Sequence, residues 1–369
     1  MIYRDVLPQM KYHDRDTIDL LERILLQLLT KCPLDMTSIG ASCLCAIVSQ
    51  ISHRYNILIK ILGSCVTKLR QVREAIRQGT VSKSIFSGVL KMILLCGLLC
   101  QHFEFDKRRE EKPAAMSALD LVYKGEIGTL IFDLLHFFTE DVINELGEQG
   151  MVLRMTALQG LGYFYSSNPI FMVSESSTTL MDRIFQEGSA SLKTQLMRVF
   201  QEFMGAEEKR INKRQEDDKK EEKEEKKTDN NKILANTEEY AELGVSGSLM
   251  QRYLPKILEC ALCEFADLRY AAFEVVSSVI HRALAHPVLC MPAVIAAETS
   301  PDIILRTKAY YMHKYAHDKY GLMLYSQMNE YISTSFQYQK VLFGNKIQGK
   351  AKQHKKPCNL ITLFFHRLW

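Results

Sequence analysis

The chain has 369 residues, 47% of them apolar, which is enough for two or three globular units with a large buried core. Its 18 glycines and 9 prolines are too few for many tight β-turns, so the composition favours helices joined by short loops. The formal net charge is only +4, which excludes an argument for nucleic-acid binding from overall charge and means that any basic surface must be local.

The sequence also argues against a membrane or secreted protein. The longest apolar run, residues 85–100, contains Lys91 and is shorter than the roughly 20 residues of a membrane-spanning helix. The ten cysteines follow no secretory signal sequence, which indicates reduced, mostly buried thiols in an intracellular protein. We therefore predict no contact with a membrane.

Apolar residues recur at helical spacing along nearly the whole chain, and no alternating strand of useful length interrupts them. Two helix starts are predicted at Asn168-Pro169 and at Ser300-Pro301-Asp302. In each of them a polar side chain is expected to cap the helix, and the proline is expected to be its first residue. The sequence thus predicts an all-α protein.

A basic segment lies between residues 54 and 91, with eight basic residues and one acid, Glu74. Arg70, Arg73 and Arg77 recur at i, i+3 and i+7, which places them in one stripe of a helix, beside an apolar stripe. We predict that this stripe binds the phosphates of duplex DNA without reading the bases, and that binding weakens steeply with salt. Further candidates for DNA binding in this segment are Arg54, Lys60, Lys68 and Lys83. The alternatives are a basic face that binds an acidic protein partner and a merely solvated face.

A repeat is visible in the second half of the chain. The dipeptide Leu-Arg or Leu-Lys recurs at spacings of 39, 76 and 37 residues, which indicates a period of about 38 residues. The basic residues are Arg154, Lys193, Arg269 and Arg306, and we predict that they are structural, pairing with acids or carbonyls of the adjacent repeat. Three positions after each basic residue comes an alanine or leucine, at 157, 196, 272 and 309.

A period near 40 with two helices per repeat is typical of HEAT-type α-solenoids, so this fold class is predicted. The long middle spacing contains a charged insertion, in which eighteen of the 21 residues at 207–227 are charged, nine of each sign. Such a segment is expected to be a solvated helix or a flexible tether. The predicted organisation is a helix at 1–34, HEAT repeats at 35–206, the insertion at 207–233, further repeats at 234–343, and a basic tail at 344–369.

Two motifs imitate chemical sites. Residues 344–351 nearly form a phosphate-binding loop, but Ala351 replaces the hydroxyl that binds Mg²⁺, and Pro357 would cut short the helix that should follow. Two cysteines and two histidines have zinc-like spacing without a turn between the thiols; they are Cys260, Cys263, His281 and His286. No nucleophile elbow is present. We therefore predict no enzymatic activity, no metal and no cofactor.

Ordered sequence motifs from about Asp35 to Phe343 resemble the carboxy-terminal half of the cohesin-loading adherin family, the Nipped-B-like sister chromatid cohesion proteins. The motifs are GLLCQHFEFD (97–106), LRMTALQGLGYFYSSNP (153–169), FQEFMGAEEKRI (200–211), GVSGSLMQRYL (244–254), LRYAAFEVV (268–276), AHPVLCMPAVIAAETSPDIILRTKA (285–309) and HDKYGLMLY (317–325). The segment after Phe343 shows no recognisable counterpart. Its five lysines between 346 and 356 are candidates for nuclear import or for non-specific attraction to DNA.

The resemblance implies a hook-shaped HEAT solenoid that helps to load the cohesin ring onto DNA. Family members contact the SMC ATPase heads and the kleisin subunit, grip duplex DNA and stimulate ATP hydrolysis by cohesin, which implies a nuclear, chromatin-associated protein. The chain resembles a fragment or a short gene product, because it lacks the long amino-terminal part of the family. That part includes the segment that binds a TPR-repeat partner subunit.

Overall fold

The computed structural model describes residues 14–80, 88–187, 189–224, 244–321, 324 and 327–344. It divides into two compact units, Met1–Val245 and Ser246–Trp369. Within the described ranges all regular structure is helical, as predicted, and none of it is strand. Lys83 and the lysine-rich tail after Gly344 lie outside the described residues. None of the helices in these ranges is long and apolar enough to cross a bilayer.

Eleven α-helices lie in the described part of the first unit. They are α1 (Arg15–Lys31), α2 (Leu34–Ile47), α3 (Asn56–Arg77), α4 (Val89–His102), α5 (Phe105–Glu111), α6 (Pro113–Met116), α7 (Ile127–Phe137), α8 (Gly147–Tyr165), α9 (Pro169–Met172), α10 (Glu175–Glu187) and α11 (Ala190–Glu224). Five more follow, namely α12 (Val245–Ala261), α13 (Ala266–His281), α14 (Pro287–Glu298), α15 (Ile303–Tyr320) and α16 (Met328–Phe343).

Eight helices of the first unit pack in four pairs of successive helices. The pairs are α1 with α2, α3 with α4, α7 with α8, and α10 with α11. The second helices of successive pairs stack on one another, α2 on α4, α4 on α8, and α8 on α11. This is the arrangement of a HEAT solenoid, in which each pair buries its apolar face on its neighbours. In the second unit, α14 packs against both α15 and α16, and α13 packs against both α14 and α15.

Helices α4 and α8 approach each other most closely where a glycine of one faces a glycine of the other. A Cβ on Gly97 would lie 2.2 Å from the carbonyl oxygen of Gly160, which is far shorter than any contact between a Cβ and an atom to which it is not bonded. Both glycines belong to the ordered motifs quoted above, at 97–106 and 153–169. Their role here is physical, because only a glycine lets the two backbones come this close.

We expect Gly97→Ala to lower the free energy of unfolding by about 1–3 kcal/mol, because the added methyl group pushes α8 away from α4. The matched control is Gly205→Ala in the interior of α11, where an added Cβ would meet no atom within 4 Å. That control should raise stability by about 0.5–1 kcal/mol through helix propensity alone. Calorimetric unfolding of the two variants checks the prediction, and shifts of the same sign would contradict it.

The two predicted helix starts need correction. At the start of α15 the cap is Asp302, whose Oδ1 accepts hydrogen bonds from the backbone nitrogens of Ile304 (2.9 Å) and Leu305 (3.4 Å). Ser300 and Pro301 therefore precede the helix. At α9, Pro169 is the first helical residue as predicted, but the side chain of Asn168 makes no capping bond. Its Nδ2 donates instead to the carbonyl of Phe164 at 3.2 Å.

The charged insertion begins inside a helix, because α11 continues from the packed repeat through Glu224 without a break. Glu207, the first residue of the predicted insertion, is buried. The described part of this insertion is therefore a helical extension of the repeat.

Candidate nucleic-acid interface

The predicted DNA-binding stripe lies on α3, in the middle of the first unit. Buried apolar residues fix the orientation of this helix, among them Leu62, Leu69 and Val72. Because a helix turns about 100° per residue, Arg70, Arg73 and Arg77 project together from one flank, next to the buried face. We call these three residues the arginine flank. Arg70 and Arg73 are half-buried, and Arg77 is exposed.

Two of the three guanidinium groups rest on aromatic rings supplied by neighbouring segments. The Cζ of Arg70 lies 5.7 Å from the ring centroid of Tyr123, and that of Arg77 lies 5.2 Å from the ring centroid of Phe137. A guanidinium that lies over a ring is held in place by a cation–π interaction while its N–H groups still point outwards. This arrangement suits hydrogen bonding to phosphate or carboxylate oxygens.

Among the described residues, the arginine flank forms no ion pair, although Asp133 and Glu74 lie near enough to Arg73 to offset part of its charge. Within the described residues, no carboxylate lies within 4 Å of any of its three guanidinium groups. Partial burial lowers the pKa of Arg73, the positive charges of Arg77 and Arg70 lower it further, and Asp133 and Glu74 raise it in part. An anion bound here would relieve this mutual repulsion, and the flank therefore favours anionic partners.

The loop that carries Tyr123 is held by a short series of polar contacts. Asp106 accepts hydrogen bonds from the backbone nitrogens of Ile127 and Gly128, each at 3.0 Å, and so caps the start of α7. Asp106 also binds Arg109 at 2.8 Å, and Arg109 donates to the carbonyl of Gly125 at 2.9 Å. The ring beneath Arg70 is thus attached to the rigid part of the unit.

The other basic residues of the segment do not join the arginine flank. Arg54 forms ion pairs with Asp19 and Glu22 of α1, the second at 2.9 Å. Lys91 donates to the carbonyl of Cys32 at 2.6 Å, at the end of α1. Lys60 and Lys68 project from other sides of α3, Lys68 about 160° around the helix from Arg70.

Tyr123 and Phe137 are part of this site and were not among the residues that the sequence singled out. Both stand near the ends of other elements, about 50 and 60 positions from the arginines. Only the packing of α3 against α7 brings them together. No spacing rule within one helix predicts such a contact.

The four repeat residues lie near the starts of α8, α11, α13 and α15, each of which follows another helix after a short turn. The Nη1 of Arg269 donates to the carbonyl of Cys263 at 2.9 Å, and the Nη1 of Arg306 to that of Ser300 at 3.4 Å. The Nε of Arg154 donates to the carbonyl of Thr139 at 3.2 Å. Each of these carbonyls stands two residues after the end of the preceding first helix.

Lys193 holds the equivalent position on α11. Its backbone nitrogen donates to the carbonyl of Ser189 at 3.0 Å, which is the ordinary i to i−4 bond of the first turn of α11. The three arginine side chains bond carbonyls in the turn that precedes their own helix, not in an adjacent repeat as expected, whereas the pairing of Arg154 with Glu187 of α10 does reach the next helix pair. We propose a structural role for all four residues, with no contact to a ligand.

The zinc-like residues are engaged in other contacts. Cys260 is buried in α12, and the Sγ of Cys263 donates to the carbonyl of Phe265 at 3.4 Å. The Nδ1 of His281 lies 2.8 Å from the carbonyl oxygen of Ser277, and its ring stacks on that of Tyr315. Across the described ranges, no three His, Cys, Asp or Glu side chains are grouped so as to hold a metal ion.

Two buried thiols and one residue of the loop-like motif can be described. Burial raises the pKa of Cys45 and of Cys290 to about 12, which keeps both thiols protonated and unreactive. Of the motif that resembles a phosphate-binding loop, only Gly344 is described, at the end of α16. The rest of that motif lies outside the described residues.

Comparisons with known proteins relate the chain to one family. Residues 246–368 match the family model described as the sister chromatid cohesion C-terminus. The chain is 26% identical over 362 residues to Nipped-B-like protein B of Danio rerio, covering 92% of this chain and 11% of that protein. It is also 26% identical over 340 residues to sister chromatid cohesion protein mis4 of Schizosaccharomyces pombe, covering 90% of this chain and 20% of that protein.

A solved structure has the same fold. It is the C-terminal fragment of the cohesin loader SCC2 of Chaetomium thermophilum, with a TM-score of 0.76 and 20% sequence identity. The match covers 100% of this chain and 25% of that chain. The prediction of an all-α solenoid is thereby confirmed.

The comparisons also show how much of this chain and of its relatives the matches cover. The family match extends to residue 368 and so includes the segment after Phe343, for which the motifs alone showed no counterpart. This chain spans between 11% and 20% of the length of the two curated relatives. The resemblance that the ordered motifs indicate is confirmed: the chain is related, over nine-tenths of its length, to the Nipped-B-like sister chromatid cohesion proteins, and corresponds to a carboxy-terminal part of them.

Proposed function

We propose that this chain takes part in loading cohesin onto chromatin in the nucleus, and that it acts by binding and catalyses no reaction of its own. The relatives support this proposal, since their names refer to sister chromatid cohesion and, for SCC2, to cohesin loading. A HEAT solenoid suits the task because its extended surface can bind several partners at once. The proposed partners are the SMC ATPase heads and kleisin of cohesin, together with duplex DNA. In the full-length relatives, a TPR-repeat partner would bind a region outside this chain.

The arginine flank is the observation that carries the DNA part of the proposal. Its three cations have no carboxylate partner within 4 Å among the described residues, and two of them are positioned by aromatic rings. A helix flank of this kind offers phosphates a row of donors but no side chains aimed at base edges. Binding is therefore expected to be independent of sequence and dominated by the release of counterions.

In the proposed mechanism, the solenoid holds the duplex on the arginine flank while other surfaces bind the cohesin heads and kleisin. A ligand that binds one conformation of a partner more tightly shifts the partner towards that conformation. By binding DNA and cohesin together, the chain would stabilise the state in which the ATPase heads are engaged, and so raise the rate of ATP hydrolysis.

The experiment is a measurement of ATP hydrolysis by purified cohesin, with and without duplex DNA, as this chain is added. We expect hydrolysis to rise only when the chain and DNA are both present. A variant with Arg70, Arg73 and Arg77 changed to Glu should lose most of this increase. Binding to cohesin without DNA retention at physiological salt would instead support a HEAT adaptor whose arginine flank binds an acidic protein. Absence of both binding and stimulation would contradict the proposed function.

A further inference from the structure

An exposed apolar stripe runs along α16, the last helix of the described residues. Ile332, Phe336 and Phe343 are exposed by 46%, 56% and 44%. They follow one another at i, i+4 and i+11, so they lie within about 40° of one another around the helix and extend over about 16 Å of its length. We call these three residues the α16 stripe.

The α16 stripe borders the packed side of its helix. Helix α16 packs on α14, and Ser335 and Gln339, which are buried, lie next to the stripe around the helix. Glu330 and Gln337 are exposed farther around the helix. The stripe therefore continues the apolar core outwards. Three large apolar side chains in a row on an outer helix of a solenoid are normally covered by further structure.

The chain beyond α16 contains a segment with a matching pattern. Residues 345–369 lie outside the described residues, but the sequence of the last ten, LITLFFHRLW, has helical spacing. The apolar residues at 360, 361, 364, 365, 368 and 369 fall on one half of a helix. Asn359, directly before them, is a residue type that caps helix starts. We call residues 360–369 the terminal segment.

The terminal segment needs a surface to pack on if it is to be helical. A helix of about ten residues is marginal alone in water, and most of its stability must come from burying its apolar side. The α16 stripe offers an apolar surface of comparable length in the same unit. The family match to residues 246–368 includes both the stripe and all but the last residue of the terminal segment.

The connection between the two is long enough for the chain to fold back. Gly344, directly after α16, has a φ of 58°, which residues other than glycine rarely adopt. Residues 345–359 join it to the terminal segment, and fifteen residues span at most about 50 Å. This exceeds the length of the stripe, so the terminal segment can reach every part of it. Attachment in one chain also gives a high effective concentration, which favours even a weak contact.

We infer that the terminal segment forms a helix that packs its apolar half on the α16 stripe and covers this side of the second unit. The inference is independent of the proposed function, because it concerns a contact within the chain. Two other occupants are outcomes of the test. One is the terminal segment of a second copy of the chain, and the other is a lipid surface, with which the segment would interact in place of the stripe.

The test uses Trp369, which is the only tryptophan of the chain, so that its fluorescence reports on the terminal segment alone. Tryptophan emission moves to shorter wavelength when the ring leaves water. We expect the emission of the full chain to lie at clearly shorter wavelength than that of the chain unfolded in denaturant. Acrylamide should quench the folded chain less than the unfolded one.

Two single variants of α16 form a matched pair. Phe336→Glu puts a charge into the stripe, and Val341→Glu puts the same charge at a residue that is 52% exposed and lies about 180° around the helix from Ile332. We expect Phe336→Glu to move the emission most of the way to that of the unfolded chain and to increase quenching. Val341→Glu should change neither. Thermal unfolding followed by circular dichroism checks that both variants keep the wild-type fold.

A third variant changes the other side of the contact. Phe364→Glu lies in the terminal segment and leaves α16 intact, so its effect does not depend on whether Phe336→Glu disturbs the helix. We expect it to move the emission of Trp369 as far as Phe336→Glu does.

Four outcomes would overturn the inference. If the wild-type emission equals that of the unfolded chain, the terminal segment is in water. If the emission is shifted but Phe336→Glu does not move it, the segment packs elsewhere. If the shift disappears on dilution together with a dimer seen in sedimentation, the stripe is covered by a second copy. If the shift appears only after vesicles of phosphatidylcholine and phosphatidylserine are added, the segment binds lipid.

Discussion

Replacing Arg154 by Met is expected to cost about 3–5 kcal/mol of stability, the largest effect of any single substitution considered. Arg154 is only 2% exposed and uses its whole guanidinium group. Its Nη2 donates to both carboxylate oxygens of Glu187 at 3.0 Å, its Nη1 to the Oδ1 of Asn144 at 2.7 Å, and its Nε to the carbonyl of Thr139. Methionine fills much of the volume but leaves these acceptors without a donor.

The cost is large because Arg154 makes four charge-assisted hydrogen bonds, each of which contributes more than a neutral one, and because the buried carbonyl of Thr139 is left without a donor. Arg154 of α8 binds Glu187 of α10 and also the carbonyl of Thr139 in the turn after α7. The side chain therefore links two successive repeats. Calorimetry of the full chain is the measurement, and the unfolding midpoint of the first unit should fall by about 10 °C.

Arg183→Met is the matched control, because Arg183 contacts the same acidic cluster from the surface. Its distances to Asp141 and Glu187 are 3.3 and 3.7 Å, and its side chain is 28% exposed. Ion pairs of this kind contribute about 0–1 kcal/mol. Equal losses in Arg154→Met and Arg183→Met would show that burial of Arg154 is not the source of the effect.

Changing Arg70, Arg73 and Arg77 together to Gln is expected to lower the affinity for duplex DNA about a hundredfold. Each arginine can donate charge-assisted hydrogen bonds to one phosphate, and a contact of this kind contributes about 1 kcal/mol net, so that three contacts give roughly two powers of ten. Fluorescence anisotropy of a labelled duplex is the measurement. Glutamine retains polarity but is shorter and gives up the contacts with Tyr123 and Phe137, so thermal unfolding followed by circular dichroism serves as the check that the fold is kept.

A second triple variant separates the position of these charges from their number. Arg15, Arg23 and Lys31 are exposed on α1 in the same unit, and changing them to Gln removes the same net charge. Because charges far from the contact are largely screened at physiological salt, this variant should bind DNA within about threefold of the wild type. Equal losses in both variants would mean that the arginine flank has no special part in binding.

Much of the repeat architecture could be predicted from the sequence, though not the first two pairs. The Leu-Arg and Leu-Lys dipeptides identified α8, α11, α13 and α15 as equivalent helices. Helix α2 lacks this dipeptide, and its second-helix role follows only from its stacking. Helix α4 carries it at Leu90-Lys91, but 63 residues before Leu153, a spacing that is not a multiple of the period of about 38 residues, so the repeat pattern did not include this helix.

The acceptors of the repeat arginines could not be predicted, since backbone carbonyls such as those of Thr139 and Ser300 carry no sequence signal.

Only part of the candidate site could be predicted, because the sequence shows the spacing within a helix but not which helices pack together. Spacing within α3 placed Arg70, Arg73 and Arg77 on one flank, because helix geometry alone decides that. The neutralisation of Arg54 by Asp19 and Glu22 depends on which helices pack together, and a count of charges along the chain does not contain that information.

The most direct test of the central claim, that this solenoid holds duplex DNA on the arginine flank, is the salt dependence of that binding. The logarithm of the association constant is measured against the logarithm of salt concentration between about 50 and 200 mM for the wild type and the variant with all three arginines changed to Gln. Loss of three phosphate contacts predicts a slope shallower by about 2.7 in the variant. Identical slopes in the two proteins would place the phosphate contacts elsewhere and contradict the account.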